Sequence, residues 1–91
     1  MQGMGALATP PEYWPIVREI CSKYGILLII DEVICGFGRT AKMFGVEHFG
    51  IHPDMLTMAK GISSGYVPLG AVGCTDDVMQ PIENFFHLHT Y

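Results

Sequence analysis

Two carboxylates and one amine are the residues of this chain best placed to do chemistry. Asp31 and Glu32 emerge from the unbroken apolar run Ile26 to Ile30, and Lys60 closes a second apolar run, Met55 to Ala59. A run without polar alternation reads as a strand covered on both faces, the pattern of a parallel sheet in an α/β protein. Ligands collect at the carboxyl ends of such strands. A carboxylate buried there is costly unless a cation or a hydrogen-bond donor faces it, so something positive is expected opposite Asp31. Lys60 is the candidate. If the two runs are near neighbours in one parallel sheet, about 4.8 Å per strand step, both side chains project from one edge with a gap between them that a flat ring fits. An amine held where solvation is poor is available as a nucleophile. An arbitrary Asp and Lys are more often a plain ion pair or two solvated side chains. These two, however, each end an apolar strand and precede a loop containing glycine.

The elements that must position them follow from local signals. After Gly3 and Gly5, Thr9-Pro10-Pro11-Glu12 opens a helix that runs to about Tyr24, with Gly25 as its left-handed stop. Thr9 and Glu12 have capping-box spacing, but a start near Glu12 is favoured because it puts Pro15 in the first turn, where no N–H partner is lost. Ile16, Val17, Ile20, Cys21 and Tyr24 then share one face, with Arg18, Glu19, Ser22 and Lys23 turned largely outward. Helix into buried strand is half of a βαβ crossover. From Ile34 to Asp54, Gly36, Gly38, Gly45, Gly50 and Pro53 predict a long excursion with at most short helical turns, and long loops at a strand's carboxyl end are often functional. A loop over Gly61 to Gly70, a short strand over Ala71 to Cys74 and a capped helix start at Thr75-Asp76-Asp77 follow, the helix limited by Pro81. Phe85, Phe86, His87, His89 and Tyr91 gather at the end.

Composition narrows the class. A chain of 91 residues is at most one domain, and at that length it buries only roughly 60 to 65 % of its unfolded surface. Its 49 % apolar content and mean hydropathy of +0.32 fit a piece of a longer protein whose surface partly meets other protein. The net charge is −4 and Arg18, Lys23, Arg39, Lys42 and Lys60 are the cations, so no basic stripe exists for a nucleic acid. No apolar run approaches the roughly 20 residues that span a bilayer, so no membrane partner is expected. Cys21, Cys35 and Cys74 are odd in number and widely spaced, which suits a reducing cytosol better than a disulfide framework. His87 and His89 lack a Cys or carboxylate at ligand spacing, and aromatic packing is favoured over a metal there.

Six short motifs lie in register: Asp31-Glu32-Val33, Gly36 to Thr40, Pro53-Asp54, Ala59-Lys60-Gly61, Ser64-Gly65-Tyr66 and Pro68 to Ala71. In order and spacing they resemble the class III pyridoxal-phosphate-dependent aminotransferases, with wording closest to the ω-amino acid:pyruvate branch. The resemblance implies a partial large domain of the fold type I architecture over residues 1–91, a mostly parallel sheet with flanking helices. It implies pyridoxal 5'-phosphate as cofactor, held as a Schiff base on Lys60, with Asp31 paired to the pyridine nitrogen and Val33 packed on a ring face. Thr90 resembles the threonine that family members lend across a homodimer interface to the neighbouring cofactor phosphate. Arg39 resembles a structural arginine that anchors the long loop. Two positions depart from the family pattern, with Ala41 and Leu88 standing where glycine is usual.

The implied activity is transfer of an amino group from an amine or ω-amino acid donor to a keto acid acceptor such as pyruvate. Aminomutases, racemases and decarboxylases of the same family share the equivalents of Asp31 and Lys60 and stay open. So does an ATPase piece, since an apolar strand ending in Asp-Glu also describes a Walker B strand, although no Gly-x-x-x-x-Gly-Lys-Ser/Thr accompanies it. The resemblance further implies an upstream phosphate loop and a C-terminal small domain beyond these residues, so that this segment alone is expected to be inactive.

Overall fold

A computed structural model of the chain describes residues 5–82. Helix α1 spans Tyr13–Tyr24 and stops at Gly25, whose φ of 64° is left-handed and whose N–H donates to the Cys21 carbonyl. Pro15 lies in the first turn, as its missing N–H requires. Strands β1 (Ile29–Asp31), β2 (Met55–Met58) and β3 (Ala71–Cys74) form one sheet in the order β1-β2-β3. β1 and β2 are parallel neighbours, with Asp31 opposite Thr57. β3 runs antiparallel to β2, Met55 facing Cys74 and Met58 facing Ala71, so the sheet is mixed. The excursion between β1 and β2 holds a single 3-10 segment, Gly45–Phe49. Helix α2, Asp76–Met79, follows β3; Thr75 adopts the extended cap conformation, but its side chain makes no capping hydrogen bond.

The core gathers Cys21 of α1, Leu28 and Ile30 around β1, and Val46 and Ile51 of the excursion, with Trp14, Val17 and Leu56 packed against them. β1 is covered on one face only: Ile30 is 6 % exposed while its neighbour Ile29 is 54 %. Sequence predicted cover on both faces. An apolar run states what a strand can bury, whereas the cover must come from other elements, and the described residues supply it on one side. The same holds for α1. Val17 and Cys21 face the core, while Ile16, Ile20 and Tyr24 are exposed.

Arg18 is half-buried, where the helical pattern expected it to turn outward. Its Nη1 lies 2.7 Å from Asp54 Oδ2, and the same oxygen accepts the Leu28 N–H at 2.7 Å. The Asp54 N–H in turn donates to the Leu28 carbonyl at 2.9 Å. One carboxylate therefore ties the entry of β1, the entry of β2 and the middle of α1 together. The Leu28 N–H and, after it, the Arg18 guanidinium hold the Asp54 carboxyl below its ordinary value.

Candidate active site

Strand alternation sends successive side chains to opposite faces, and this separates the two acids at the end of β1. Glu32 goes inward. It is 2 % exposed, and its two carboxylate oxygens accept the N–H groups of Val46 at 2.7 Å and Gly45 at 3.0 Å. These are free donors at the start of the 3-10 segment, so Glu32 both satisfies its own charge and fixes the excursion to the strand end. Gly45 admits this approach, since a Cβ there would stand 3.3 Å from Glu32 Oε2. The buried carboxylate is thus answered by backbone N–H groups. Asp31 goes outward and is exposed; its Oδ1 accepts the Val33 N–H at 2.9 Å. A backbone N–H thus answers Asp31 directly, and Lys60, the cation expected opposite it, lines the same cavity.

Lys60 follows β2 by two residues and opens a 3-10 turn, Lys60–Ile62. Its φ of 47° is left-handed, a conformation that costs a residue with a Cβ roughly 1–2 kcal/mol. Strain of this kind at a strand's carboxyl end is a pointer to a functional position. Asp31, Val33 and Lys60 line one cavity of about 710 Å³, within the usual size of a small-molecule site. Its remaining wall is largely apolar and includes Ile29, Trp14 and Phe49. Both Asp31 and Lys60 are exposed, so the poor solvation expected around the amine is not supplied by the described residues. Thr90, His87 and His89 lie outside the described residues.

The loop after β1 is held by contacts that sequence alone did not assign. Phe37 N–H donates to the Met43 carbonyl, and His48 Nε2 donates to the Thr40 carbonyl at 2.8 Å. A Cβ on Gly36 would meet the Glu32 carbonyl oxygen at 2.8 Å, and one on Gly61 would meet the Phe37 Cβ at 3.1 Å. The loop therefore lies directly against the turn that begins with Lys60. Arg39, expected to anchor this loop, is exposed and makes no hydrogen bond or ion pair among the described residues. Glu32, Phe37 and His48 do the anchoring. Ala41, where the family pattern has glycine, has a φ of 66°, which explains the preference at that position. His48 and Thr40 also line the large cavity; the repeated glycines between them were the available signal of a tightly folded loop, but their partners are set by tertiary contacts.

The fold and the site define an α/β protein whose adjacent parallel strands each bring one charged group to a shared cavity. The sequence profile of the family described as Aminotransferase class-III matches residues 1–91, and the chain belongs to that family. It is 47 % identical over 95 residues to a putrescine–pyruvate aminotransferase of Pseudomonas aeruginosa, covering 100 % of this chain and 21 % of the relative. To a hypotaurine/taurine–pyruvate aminotransferase of Paracoccus denitrificans it is 54 % identical over 82 residues, covering 89 % of this chain and 17 % of the relative. The crystal structure of an (S)-enantioselective omega-transaminase from Thermomicrobium roseum superposes with a TM-score of 0.85 at 47 % identity, over 96 % of this chain and 20 % of that one. A taurine:2-oxoglutarate aminotransferase from Bifidobacterium kashiwanohense, solved in complex with PLP and glutamate, gives a TM-score of 0.79 at 49 % identity, over 85 % of this chain and 18 % of that one. The chain thus spans about a fifth of the length of the relatives it matches.

Proposed function

We propose that the chain is part of the large domain of a pyridoxal-phosphate-dependent aminotransferase that moves an amino group from an amine or ω-amino acid to a keto acid such as pyruvate. The observation that carries this reading is the placement of Lys60 and Asp31 on one cavity at the ends of adjacent parallel strands, in a chain of the class III family. The residues present fit the cofactor: an amine for its aldehyde, a carboxylate for its ring nitrogen, and apolar walls for a flat ring. When bound, that group supplies an electron sink for the carbon that loses its proton.

What the chain itself contributes can be derived residue by residue. Lys60 Nζ is the amine that would hold the cofactor's aldehyde, and its left-handed backbone sets where the side chain leaves the sheet end. As a free amine the same nitrogen would take up and return a proton as general base and acid. Asp31, oriented by the Val33 N–H on Oδ1, would offer the anion that favours a proton on the ring nitrogen. Val33, two residues along an extended chain from Asp31, supports one ring face. Thr90 is proposed to serve the cofactor phosphate of a second subunit in a homodimer. The compartment is read as the cytosol, from the odd number and wide spacing of Cys21, Cys35 and Cys74; no helix among the described residues is long and apolar enough to cross a membrane.

The test uses the full-length protein. Incubation with pyridoxal phosphate, reduction with borohydride and peptide mapping are expected to place the adduct on Lys60, and Lys60→Ala is expected to remove both the adduct and the transfer of amino groups to pyruvate. An adduct elsewhere, or none, sinks the assignment. Binding of Mg-ATP in its place would favour the Walker B reading of β1.

A further inference from the structure

The turn that carries Lys60 is hydrogen-bonded, among the described residues, only to near neighbours in the chain. The Ile62 N–H donates to the Ala59 carbonyl at 3.2 Å, the Ser63 N–H to that of Lys60 at 3.3 Å and the Ser64 N–H to that of Gly61 at 3.2 Å. No such bond reaches the loop after β1. Lys60 nevertheless has a left-handed φ of 47°, a conformation that a residue with a Cβ keeps only where its surroundings impose it. The surroundings here are one side chain. A Cβ on Gly61 would stand 3.1 Å from the Phe37 Cβ and 3.3 Å from its ring Cδ2, so Phe37 occupies the place that a side chain on residue 61 would take. Phe37 is itself braced. Its N–H donates to the Met43 carbonyl at 2.6 Å, and its ring meets that of Phe44 edge-on, with centroids 5.5 Å apart. Phe44 packs on the core and gives its N–H to Glu47 Oε1 at 2.7 Å. The residue before Phe37, Gly36, donates to the Glu32 carbonyl at 3.0 Å, and the Glu32 N–H reaches the Thr57 carbonyl of β2 at 2.9 Å.

We propose that Phe37 is a positioning residue whose side chain, wedged on Gly61, holds the Lys60 turn in its left-handed form and so sets where the Lys60 amine stands; this rests on Lys60 being the amine that carries the reaction. A half-buried aromatic is more often a plain packing residue. Two observations set this one apart. Phe37 is not among the residues packed on the core cluster, and its own φ of 59° is one that glycine adopts freely and phenylalanine does not. A ring placed at such a cost is explained by what it presses on. Without the wedge, the turn is free to relax to an ordinary φ, which swings the root of the lysine side chain away from the strand end.

The test compares full-length wild type, Phe37→Gly, Gly61→Ala and the double variant, each freed of cofactor and then given pyridoxal phosphate. Phe37→Gly removes the wedge and spares the loop its left-handed cost, yet its rate of forming the borohydride-trapped adduct at Lys60 is expected to fall roughly tenfold or more. Gly61 has no left-handed φ, so Gly61→Ala acts only by pressing a Cβ on Phe37, and a similar slowing is expected. In the double variant the new methyl group takes the vacated place and most of the rate returns. Losses that simply multiply in the double variant would overturn the wedge, because groups in contact are non-additive. Amide hydrogen exchange at residues 62–64 needs no cofactor and is expected to quicken roughly tenfold in Phe37→Gly, with α1 unchanged. Quickened exchange where wild-type Lys60 forms no adduct keeps the wedge and removes the assignment of Lys60. Unchanged exchange overturns the wedge however Lys60 labels, and quickened exchange with unchanged labelling overturns its positioning of the amine. Should Phe37→Gly fail to fold, Phe37→Ala keeps the Cβ and drops the ring, and the exchange and labelling criteria decide.

Discussion

Asp54 shows how one side chain outside the cavity's lining ties together the strands that carry the cavity's residues. Its carboxylate receives the Leu28 N–H and the Arg18 guanidinium, and these hold its folded-state value below the ordinary 3.8. A carboxyl depressed in the folded state contributes stability that is fully present above its unfolded value and is lost as pH falls through the folded one. In the full-length protein, Asp54→Asn is therefore expected to be less stable than wild type near neutrality, with the gap narrowing once pH falls below about 3.8. Urea midpoints of the two proteins across that range check this; a gap independent of pH would assign the contribution to shape alone. Asp54 was legible in sequence only as part of the Pro53-Asp54 motif, since its partners lie 26 and 36 residues away. Glu32 makes the same point from the other side. Sequence placed Asp31 and Glu32 together at a strand end, but strand alternation alone cannot say which of two adjacent acids faces the core when the run before them is apolar on both faces. The deciding partners, Gly45 and Val46, are 13 and 14 residues on.

At the scale of elements, what punctuation residues announce was readable and what pairing decides was not. Gly25 ended α1 where expected, and β3 occupies the predicted Ala71–Cys74, because both signals are local. That β3 would pair antiparallel with β2 is a tertiary choice. The two kinds of glycine differ in the same way. Gly25 has open space where a Cβ would go, so Gly25→Ala meets only its left-handed φ of 64°, a cost of roughly 1–2 kcal/mol. Gly36→Ala would put a Cβ 2.8 Å from the Glu32 carbonyl oxygen and 3.3 Å from the Phe44 ring, forcing backbone apart at a cost of roughly 1–3 kcal/mol. Gly36 belongs to the loop that lies against the Lys60 turn. Both variants are expected to lower the melting temperature, but only Gly36→Ala should also slow formation of the Lys60 adduct. Equal adduct rates in the two would mean that the loop does not position the lysine.

Across the whole molecule the apolar surplus finds its place on the surface. Ile16, Ile20 and Tyr24 of α1, Ile26, Leu27 and Ile29 at β1, and Tyr66, Val67 and Leu69 of the loop before β3 are all exposed, Tyr66 by 89 %. Among the described residues the buried apolar set is Cys21, Leu28, Ile30, Val46 and Ile51. The Cα radius of gyration is 14.8 Å, against about 12 Å for a compact domain of this length. A core so small sits poorly against the conformational entropy of ordering the chain, and the mean hydropathy already signalled the surplus without saying which faces would carry it. Produced alone, the 91-residue chain is expected to bind the dye ANS, to self-associate in sedimentation velocity and to unfold without a cooperative transition. On the proposed reading of a larger domain and a homodimer, the same surfaces in the full-length protein are covered, and ANS should then stay dark. A monomeric, ANS-silent chain with a sharp urea transition would show that these faces need no such cover.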